Sequence, residues 1–401
     1  MKETEGSSSR WVWLLGLYTF ASLVETMFYS QLLAFTPLIL PALGASPEEV
    51  IYMIGMITAV TNGVGIPFLP LWGALADRYS RKPIILRSFV VLMFSAVLAF
   101  LSNSIWVFIA ARTLTAFALG NSGLMMTTLS ERLPENRQGL GFSIMNSAAP
   151  IGAFLGPLVG GMVIDQYGFQ FMLLSNVIML AVITLAMGFG YQDSYRGQSQ
   201  EPLLQMAKES LRLVWRSMRL RTLFPALLML FGGWMLAFTY ISSVILEMYT
   251  GNEPGMVVGS VIGISGLTTL ILSPILGGAS DKYGSWKVLF AGSAAALVMW
   301  PLPYFTRDLT VFTVVWSVLN GTVSAVFAIS FSVLSSSTSE RVRGRIMSMA
   351  YMPVNIGFML GAGIGTAVTQ NNLFNIFPAA AVFTLVGILL LRAAHRHPVE
   401  G

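Results

Sequence analysis

Two ionisable residues, Glu25 and Arg112, lie deep inside long apolar stretches of this sequence. A charged side chain at the centre of a bilayer costs at least about 2.5 kcal/mol, so residues of this kind mark functional sites. Glu25 follows Trp11 by 14 residues, a helical rise of about 21 Å, and Arg112 follows Ile105 by 7 residues, about 10 Å from the opposite end. In a hydrocarbon core of about 30 Å these depths nearly coincide. The spacing therefore predicts an ion pair between the two side chains.

Two interpretations of such a pair stay open. A fixed ion pair would simply hold two helices together. Alternatively, Glu25 takes up a proton on one side of the membrane and releases it on the other. Burial favours the neutral carboxyl and a guanidinium favours the carboxylate. A bound molecule that disturbs the pair would therefore change the protonation of Glu25 and couple two fluxes.

The composition indicates that the bilayer is the solvent for most of the chain. Hydrophobic residues make up 55% of the 401 positions and charged residues 10%, and the mean hydropathy is +0.72. A soluble protein of this length needs far more polar surface to cover its core. The chain has a pI near 9.5, but its bases are not interleaved with aromatic residues, so we predict no nucleic-acid partner.

The inventory of reactive side chains is small. The chain has no cysteine, and its two histidines, His395 and His397, lie in the tail. Disulfides, thiol catalysis and cysteine-type zinc sites are therefore excluded. We predict no catalytic residues, no metal site and no cofactor. An enzyme acting on lipid, which needs a catalytic pair or metal at the membrane interface, stays an alternative, as does a receptor or scaffold that transports nothing.

Twelve apolar segments follow one another along the chain, and most of them reach the roughly 20 residues that cross a bilayer. They cover residues 11–40, 49–76, 83–101, 104–129, 138–165, 168–190, 222–249, 254–280, 285–305, 308–337, 343–369 and 371–392. The first segment is too long for a signal peptide and is read as an uncleaved helix. The sequence thus predicts an all-α membrane protein with twelve transmembrane helices.

The distribution of bases predicts the orientation. Among the 23 Lys and Arg residues, those between the segments lie on the side of the termini, with Arg307 the exception. By the positive-inside rule both termini are cytoplasmic. Residues 191–221 form a linker in which apolar and basic residues alternate at helical spacing, which predicts an amphipathic cytoplasmic helix. Binding of anionic lipid and a plain connection both remain open for it.

A pattern of a glycine, an acid and bases occurs twice, about half the chain apart. Its members are Gly73, Asp77, Arg78, Arg81 and Lys82 after the second segment, and Gly277, Asp281 and Lys282 after the eighth. Ser-Glu-Arg also occurs twice, at 130–132 and 339–341. The duplication predicts two pseudo-symmetric six-helix domains, residues 1–190 and 222–401.

Both copies resemble the signature loop of major facilitator superfamily transporters, although Ser80 stands where that family usually has glycine. The resemblance implies a monomeric secondary transporter. It also implies a conformational switch in which Asp77 contacts helix 11 and Asp281 contacts helix 5, which stabilises the outward-facing state. Gly73, Arg78, Arg81 and Gly277 belong to the same motif. The alternative is that the bases only fix the topology.

The fifth segment resembles the helix-5 motif of the drug:proton antiporter branch of that superfamily. The residues are Gly152, Gly156, Pro157, Gly160 and Gly161. Glycines at this spacing clear one helical face for another backbone, and Pro157 favours a bend. Helix 11 repeats the spacing at Gly357, Gly361 and Gly365, which predicts a helix at the seam between the domains. Ordinary packing of small residues is the alternative.

The resemblance places Glu25 and Arg112 in a central cavity lined by helices 1, 4, 7 and 10. Arg112 matches the arginine of the helix-4 signature, but Thr115 and Ala116 replace the usual glutamine and glycine. Possible cavity residues are Met27, Phe28, Tyr29, Gln31, Phe117, Asn121, Trp234, Phe238, Tyr240, Trp316, Asn320 and Phe327. Flexible methionines and flat aromatics suit hydrophobic substrates of variable shape. The same residue types also serve in core packing and lipid contact.

The function predicted from these patterns is transport by alternating access, with proton-coupled export of a lipophilic or amphipathic compound. The expected partners are a small-molecule substrate, protons and the lipid bilayer. The expected location is a plasma membrane, the inner membrane in a bacterium. Within the same superfamily, transport of a sugar, a metabolite or a lysolipid, with or without protons, is the alternative.

Overall fold

The computed structural model describes residues 2–68, 80–118, 121–134, 137–190, 211–339, 346–347 and 349–398, with side chains from residue 11 onward. Within these ranges the chain is helical and contains no strand. Twelve helices are long and apolar enough to cross a membrane, so the predicted fold class is confirmed. The described part of the linker is helical at 211–216. The predicted amphipathic helix runs from about residue 204 to residue 219, and its part before residue 211 lies outside the described residues.

The spans are labelled α1 to α12 in chain order. They are α1 (Trp11–Ala42), α2 (Pro47–Phe68), α3 (Arg81–Phe100), α4 (Ile105–Arg132), α5 (Gln138–Tyr167), α6 (Phe169–Phe189), α7 (Met218–Met248), α8 (Pro254–Tyr283), α9 (Ser285–Phe305), α10 (Leu309–Ser336), α11 (Tyr351–Val368) and α12 (Leu373–Arg396). Because twelve spans are an even number, both termini emerge at one end of the bundle. We call it the terminal end and its opposite the distal end.

Local signals in the sequence set several helix boundaries. The side chains of Ser104, Ser217 and Asp308 accept hydrogen bonds from the first turns of α4, α7 and α10, as residues at the N-cap position commonly do. Single glycines separate α5 from α6 and α8 from α9. Gly168 has φ 83° and Gly284 has φ 95°, a conformation that favours glycine, so the chain reverses there in one residue.

The buried apolar residues form two cores with different extents. The larger core contains most of the buried apolar residues of the N-terminal half together with those of the distal parts of α7, α8, α9, α10 and α12. The smaller core lies wholly in the C-terminal half, near the terminal end, and includes Leu223, Leu289, Val333 and Leu391. The two halves therefore share one core at the distal end, whereas the C-terminal half has its own core at the terminal end.

The halves meet along two helix pairs, α5 with α8 and α2 with α11. At the first seam, Gly161 approaches the backbone of Gly255, and Gly259 approaches the backbone of Pro157. The buried residues of α8 lie between Gly255 and Gly266, apart from Ser280. The described terminal half of α8 thus has no close contact with α5. Among the described residues, the two halves close the bundle at the distal end.

Candidate functional site

A buried carboxyl in α1 is bonded to a neutral amide in α4. The side-chain nitrogen of Asn121 donates a 2.8 Å hydrogen bond to Oε2 of Glu25. Glu25 is 8% exposed and Asn121 is 3% exposed. The helical geometry of α4 changes just before Asn121, where Thr115–Ala118 form a 3₁₀ turn. The α1–α4 contact predicted from the sequence is therefore present, through Asn121.

Arg112 lies in the same half but does not form the predicted ion pair. It is 5% exposed, and among the described residues its Nε and Nη1 atoms have no hydrogen-bond partner. Tyr29, one helical turn after Glu25 on α1, also contacts α4, because its hydroxyl donates to the carbonyl of Thr115 at 3.4 Å.

The C-terminal half presents a set of touching aromatic rings, which we call the aromatic wall. Its members, on α7, α10 and α11, are Phe231, Trp234, Phe238, Trp316, Phe327, Phe331, Tyr351 and Phe358. Trp234 lies 5.8 Å from Phe327 and 6.1 Å from Phe238, between ring centroids. These three residues are partly exposed, so the wall has an accessible surface. It extends from the middle of α7 to the start of α11 at the terminal end.

A short polar chain fixes the central ring of the aromatic wall. The indole nitrogen of Trp234 donates to Asn320 at 3.0 Å, and the amide of Asn320 donates to Ser265 at 3.3 Å. The chain links α7, α10 and α8. Because Asn320 is 4% exposed, these bonds hold the orientation of the indole from inside the domain.

Several predicted cavity residues instead serve in helix packing. Met27, Phe28 and Trp316 are almost fully buried. The amide nitrogen of Gln31 donates to the carbonyl of Gly156 on α5, and its oxygen accepts from Asn176 on α6. Gln31 thus ties three helices of one half together. Tyr29, Phe117, Trp234, Phe238 and Phe327 remain partly exposed and stay candidates for substrate contact.

Tyr240 is also buried, and it closes the distal end. Its hydroxyl donates to the carbonyl of Ala362 and bonds Thr366 on α11, both at 2.9 Å. The backbone of Gly55 on α2 packs directly against this hydroxyl. Any larger residue at Gly55 would separate α2 from α11. Tyr240 therefore belongs to the seam between the halves.

The glycines of the α5 motif clear a face for α1. A Cβ added to Gly152 would lie 2.8 Å from the Leu23 carbonyl oxygen, and one on Gly156 would lie 3.0 Å from Met27. Gly160 packs in the same way against Phe35 and Gln31. Of the motif, Gly161 and Pro157 face the other half, against α8. The glycine spacing correctly predicted close helix contact.

α11 lies at the seam between the halves, as predicted, where it packs against α2. Its glycines, however, face a helix of its own half. Gly357 and Gly361 pack against the backbone of α7 at Leu228 and Gly232, and Gly365 packs against the ring of Tyr240. The α11–α7 contact is the counterpart of α5–α1 within the other half. Spacing identifies a cleared face, but tertiary packing decides which helix fills it.

The described residues of the first copy of the predicted switch bond to other helices of the N-terminal half. Gly73, Asp77 and Arg78 lie outside the described residues. Arg81 is 7% exposed and forms a bidentate pair with Glu131 at 2.8 Å for both bonds, joining the start of α3 to the end of α4. Lys82 donates to the carbonyl of Gly188 at 2.7 Å. The pairing of Arg81 was not predicted, because partners in different helices leave no local signal.

The second copy of the switch makes no contact with α5 in this structure. Asp281 is exposed and no described residue pairs with it, and a Cβ on Gly277 would meet nothing within 4 Å. The expected contact belongs to a state closed at the terminal end. The role of Asp281 therefore stays a prediction.

Sequence reasoning missed the α8 side of the seam. Gly255, Gly259, Gly263 and Gly266 all approach the backbone of α5. Their spacing in one helix is a visible signal that could have identified this face. Asp165, which had no predicted role, bonds the start of α8. No local signal distinguishes it from other acids at helix ends.

The fold and seam agree with a family model described as Major Facilitator Superfamily, which matches residues 14–252 and 242–401. The chain belongs to the Major Facilitator Superfamily. It is therefore a membrane transporter with twelve spans. A multidrug resistance protein MdtG of Yersinia enterocolitica is 27% identical over 373 residues, which are 90% of this chain and 87% of that protein.

Solved structures of other transporters share the fold. The nucleoside transporter NupG superposes with a TM-score of 0.76 and 17% identity, covering 96% of this chain and 100% of that one. A D-xylose-proton symporter superposes with a TM-score of 0.75 and 14% identity, covering 96% and 98%. At this identity the likeness shows the superfamily architecture and leaves the substrate open.

Proposed function

We propose that this chain exports lipophilic or amphipathic compounds in exchange for protons, by alternating access, with both termini in the cytoplasm of a bacterium. One observation carries the proposal. Glu25 is a buried carboxyl whose hydrogen-bond partner is the neutral amide of Asn121, and it forms no ion pair with a described residue. A carboxyl that is not neutralised by a fixed cation is free to change its protonation state during a cycle.

The neighbours of Glu25 support coupling to a substrate. An amide stabilises the carboxylate by donating through nitrogen, and it can accept from the protonated acid through oxygen after a rotation. Arg112 keeps two donors without partners among the described residues. A buried guanidinium with free donors favours a nearby negative charge or a polar oxygen. A substrate and the Glu25 carboxylate therefore compete for the free donors of Arg112. This competition would couple substrate transport to proton transport.

The aromatic wall supports a lipophilic substrate. Trp234, Phe238 and Phe327 offer flat, partly exposed surfaces that bind rings and alkyl groups without demanding one shape. The wall carries no ionisable group other than the tyrosine hydroxyl of Tyr351. The relative from Yersinia enterocolitica bears the name multidrug resistance protein, which agrees with this substrate class.

The proposed transport cycle has two steps. In the state open at the terminal end, the carboxyl of Glu25 releases its proton to the cytoplasm and a substrate enters along the aromatic wall. After the terminal end closes and the distal end opens, Glu25 takes up a proton and the substrate leaves. The proton gradient then drives export.

The test uses proteoliposomes with an imposed pH gradient and an internal pH dye. Lipophilic cations, neutral drugs, bile-salt-like anions, sugars and lysolipids are added to wild type and Glu25→Gln. Glu247→Gln is the matched control, because Glu247 is an exposed acid near the distal end of α7 without a described partner. We expect substrate-dependent proton movement in wild type and in the control, and its loss in Glu25→Gln.

The other results have clear meanings. Substrate flux without proton flux contradicts the coupling. A response to sugars or lysolipids alone contradicts the substrate class and favours the alternative within the superfamily. An unchanged Glu25→Gln variant makes Glu25 a packing residue and removes the proposed proton site.

A further inference from the structure

A carboxylate of the N-terminal half caps a helix of the C-terminal half. Asp165, near the distal end of α5, accepts hydrogen bonds from the backbone nitrogens of Gly255 at 2.9 Å and Met256 at 2.6 Å. These nitrogens begin α8. Each bond joins the two halves at the end of the bundle that is closed.

The start of α8 is built to receive such a cap. Its N-cap residue is Glu253, whose side chain makes no capping bond, and Pro254 follows at the first helical position. Proline has no N–H, so Gly255 and Met256 carry the first free donors of the helix, those that an N-cap side chain normally satisfies. Asp165 supplies from the other half what the α8 sequence lacks.

The equivalent helix of the N-terminal half needs no such help. α2 begins with a complete capping box, in which the Ser46 nitrogen donates to Glu49 at 2.8 Å and the Glu49 nitrogen donates to Ser46 at 3.4 Å. Both donors are satisfied within four consecutive residues. Of the two helix starts at the distal end of the seams, α8 alone takes its side-chain cap from across the seam.

Two glycines make room for the carboxylate. A Cβ on Gly255 would lie 2.7 Å from Oδ1 of Asp165 and 2.8 Å from the carbonyl oxygen of Gly161. Gly161 in turn packs directly on the Gly255 backbone. The absence of both side chains lets α5 and α8 approach closely enough for Asp165 to reach the backbone. A separation of the two helices would break both bonds at once.

We propose that Asp165 is a gating residue that holds the distal end closed and favours the state open at the terminal end. Opening the distal end exposes two helix donors and removes a negative charge from the positive end of the α8 dipole. The inference rests on alternating access as proposed above, and it adds a residue that controls the position of the equilibrium. It concerns gating and is independent of which substrate or ion is moved.

The test measures the two ends separately by spin-label distances. The chain has no cysteine, so pairs can be introduced directly. Asn103→Cys with Asn252→Cys reports on the distal end, and Leu140→Cys with Tyr283→Cys reports on the terminal end. All four positions are exposed. The measurements are made in lipid nanodiscs without substrate or pH gradient.

The variants are Asp165→Ala, Asp165→Asn and the matched control Glu247→Ala. Asp165→Ala loses two charge-assisted bonds at a helix N-terminus. We therefore expect the population ratio of the conformation with long distal and short terminal distances to the other conformation to rise by about tenfold. Asp165→Asn keeps an acceptor without the charge, so we expect a smaller shift in the same direction. Glu247→Ala should match wild type.

Distance distributions of Asp165→Ala that equal those of wild type would overturn the proposal, and so would an equal shift in Glu247→Ala. If Asp165→Ala does not fold, the isosteric Asp165→Asn decides, and its unchanged distribution overturns the proposal. A shift in distances together with failed proton coupling in proteoliposomes would reject the proposed function and leave the gating role intact.

Discussion

The amide of Asn121 and the carboxylate of Glu25 are joined by a 2.8 Å hydrogen bond across 96 positions of the chain. The bond links α4 to α1 inside the N-terminal half, next to Tyr29 and near Arg112. A neutral partner leaves the carboxyl free to lose or gain a proton, whereas an ion pair would fix its charge. Proton coupling should therefore depend on both members of the pair.

Asn121→Ala should reduce substrate-driven proton flux by about tenfold, because a lost bond to a charged group is worth roughly 1.5–3 kcal/mol and Asn121 also orients the carboxyl. The measurement is initial proton flux in proteoliposomes for wild type, Asn121→Ala and Glu25→Gln. A flux in Asn121→Ala equal to that of wild type would show that the bond to Glu25 does not contribute to coupling.

Gly259→Ala should open the seam between α5 and α8. The added methyl group would strike the backbone carbonyl of Pro157, which cannot rotate away as a side chain can. Overpacking of this kind costs about 1–3 kcal/mol, so the distal spin-label pair should lengthen. Gly139→Ala on α5 is the control, because nothing lies within 4 Å of a Cβ there. An unchanged distal distance in Gly259→Ala would contradict the close packing of α8 against α5 at this position.

Phe327→Ala should weaken binding of planar aromatic substrates more than that of aliphatic ones. Phe327 contacts Phe231 and Phe331, each at 5.0 Å between ring centroids, and aromatic pairs are worth about 0.5–1.5 kcal/mol beyond area burial. We expect apparent affinity for planar compounds to fall by about three- to tenfold, measured by competition transport. Phe94→Ala, at a residue 58% exposed on α3, should have no effect. Equal losses in both variants would argue against the aromatic wall.

Arg81→Ala should lower thermal stability in detergent by about 1 kcal/mol, because the Glu131 side chain is half exposed and solvent screens the pair. The reversed pair, Arg81→Glu with Glu131→Arg, should recover part of this loss, whereas Arg81→Glu alone should be worse than Arg81→Ala. Melting curves of the three variants provide the measurement. No recovery in the reversed pair would mean that Arg81 stabilises through its other contacts.

The twelve helices were predictable because each one is encoded within a contiguous window. Hydropathy identifies the spans, and caps such as Asp308 or turn glycines such as Gly284 fix their ends. Most boundaries differed by a few residues, as at α2, which begins at Pro47 where the apolar pattern starts at 49. At α2 the difference arises because Ser46 and Glu49 form a polar capping box ahead of the apolar run. A larger difference occurs at α11, which begins at Tyr351 where the apolar pattern starts at 343.

The site was predictable only in part, because side-chain partners depend on tertiary packing. Glu25 was recognisable as an acid within an apolar segment, but its partner Asn121 lies 96 positions away, after the 3₁₀ turn at Thr115–Ala118. Gln31 and Tyr240 have the same residue types as cavity residues, yet they are bonded between helices. Hydropathy and spacing carry no information about which neighbour fills a given face.

The capping of α8 by Asp165 of α5 also has a consequence for the assembly of the protein. Synthesis delivers Asp165 before Pro254, so the carboxylate is already in the membrane when the uncapped start of α8 arrives. A C-terminal half made alone would begin α8 with its Gly255 and Met256 donors lacking that carboxylate. We therefore expect separately expressed halves to complete the start of this helix only when they pair.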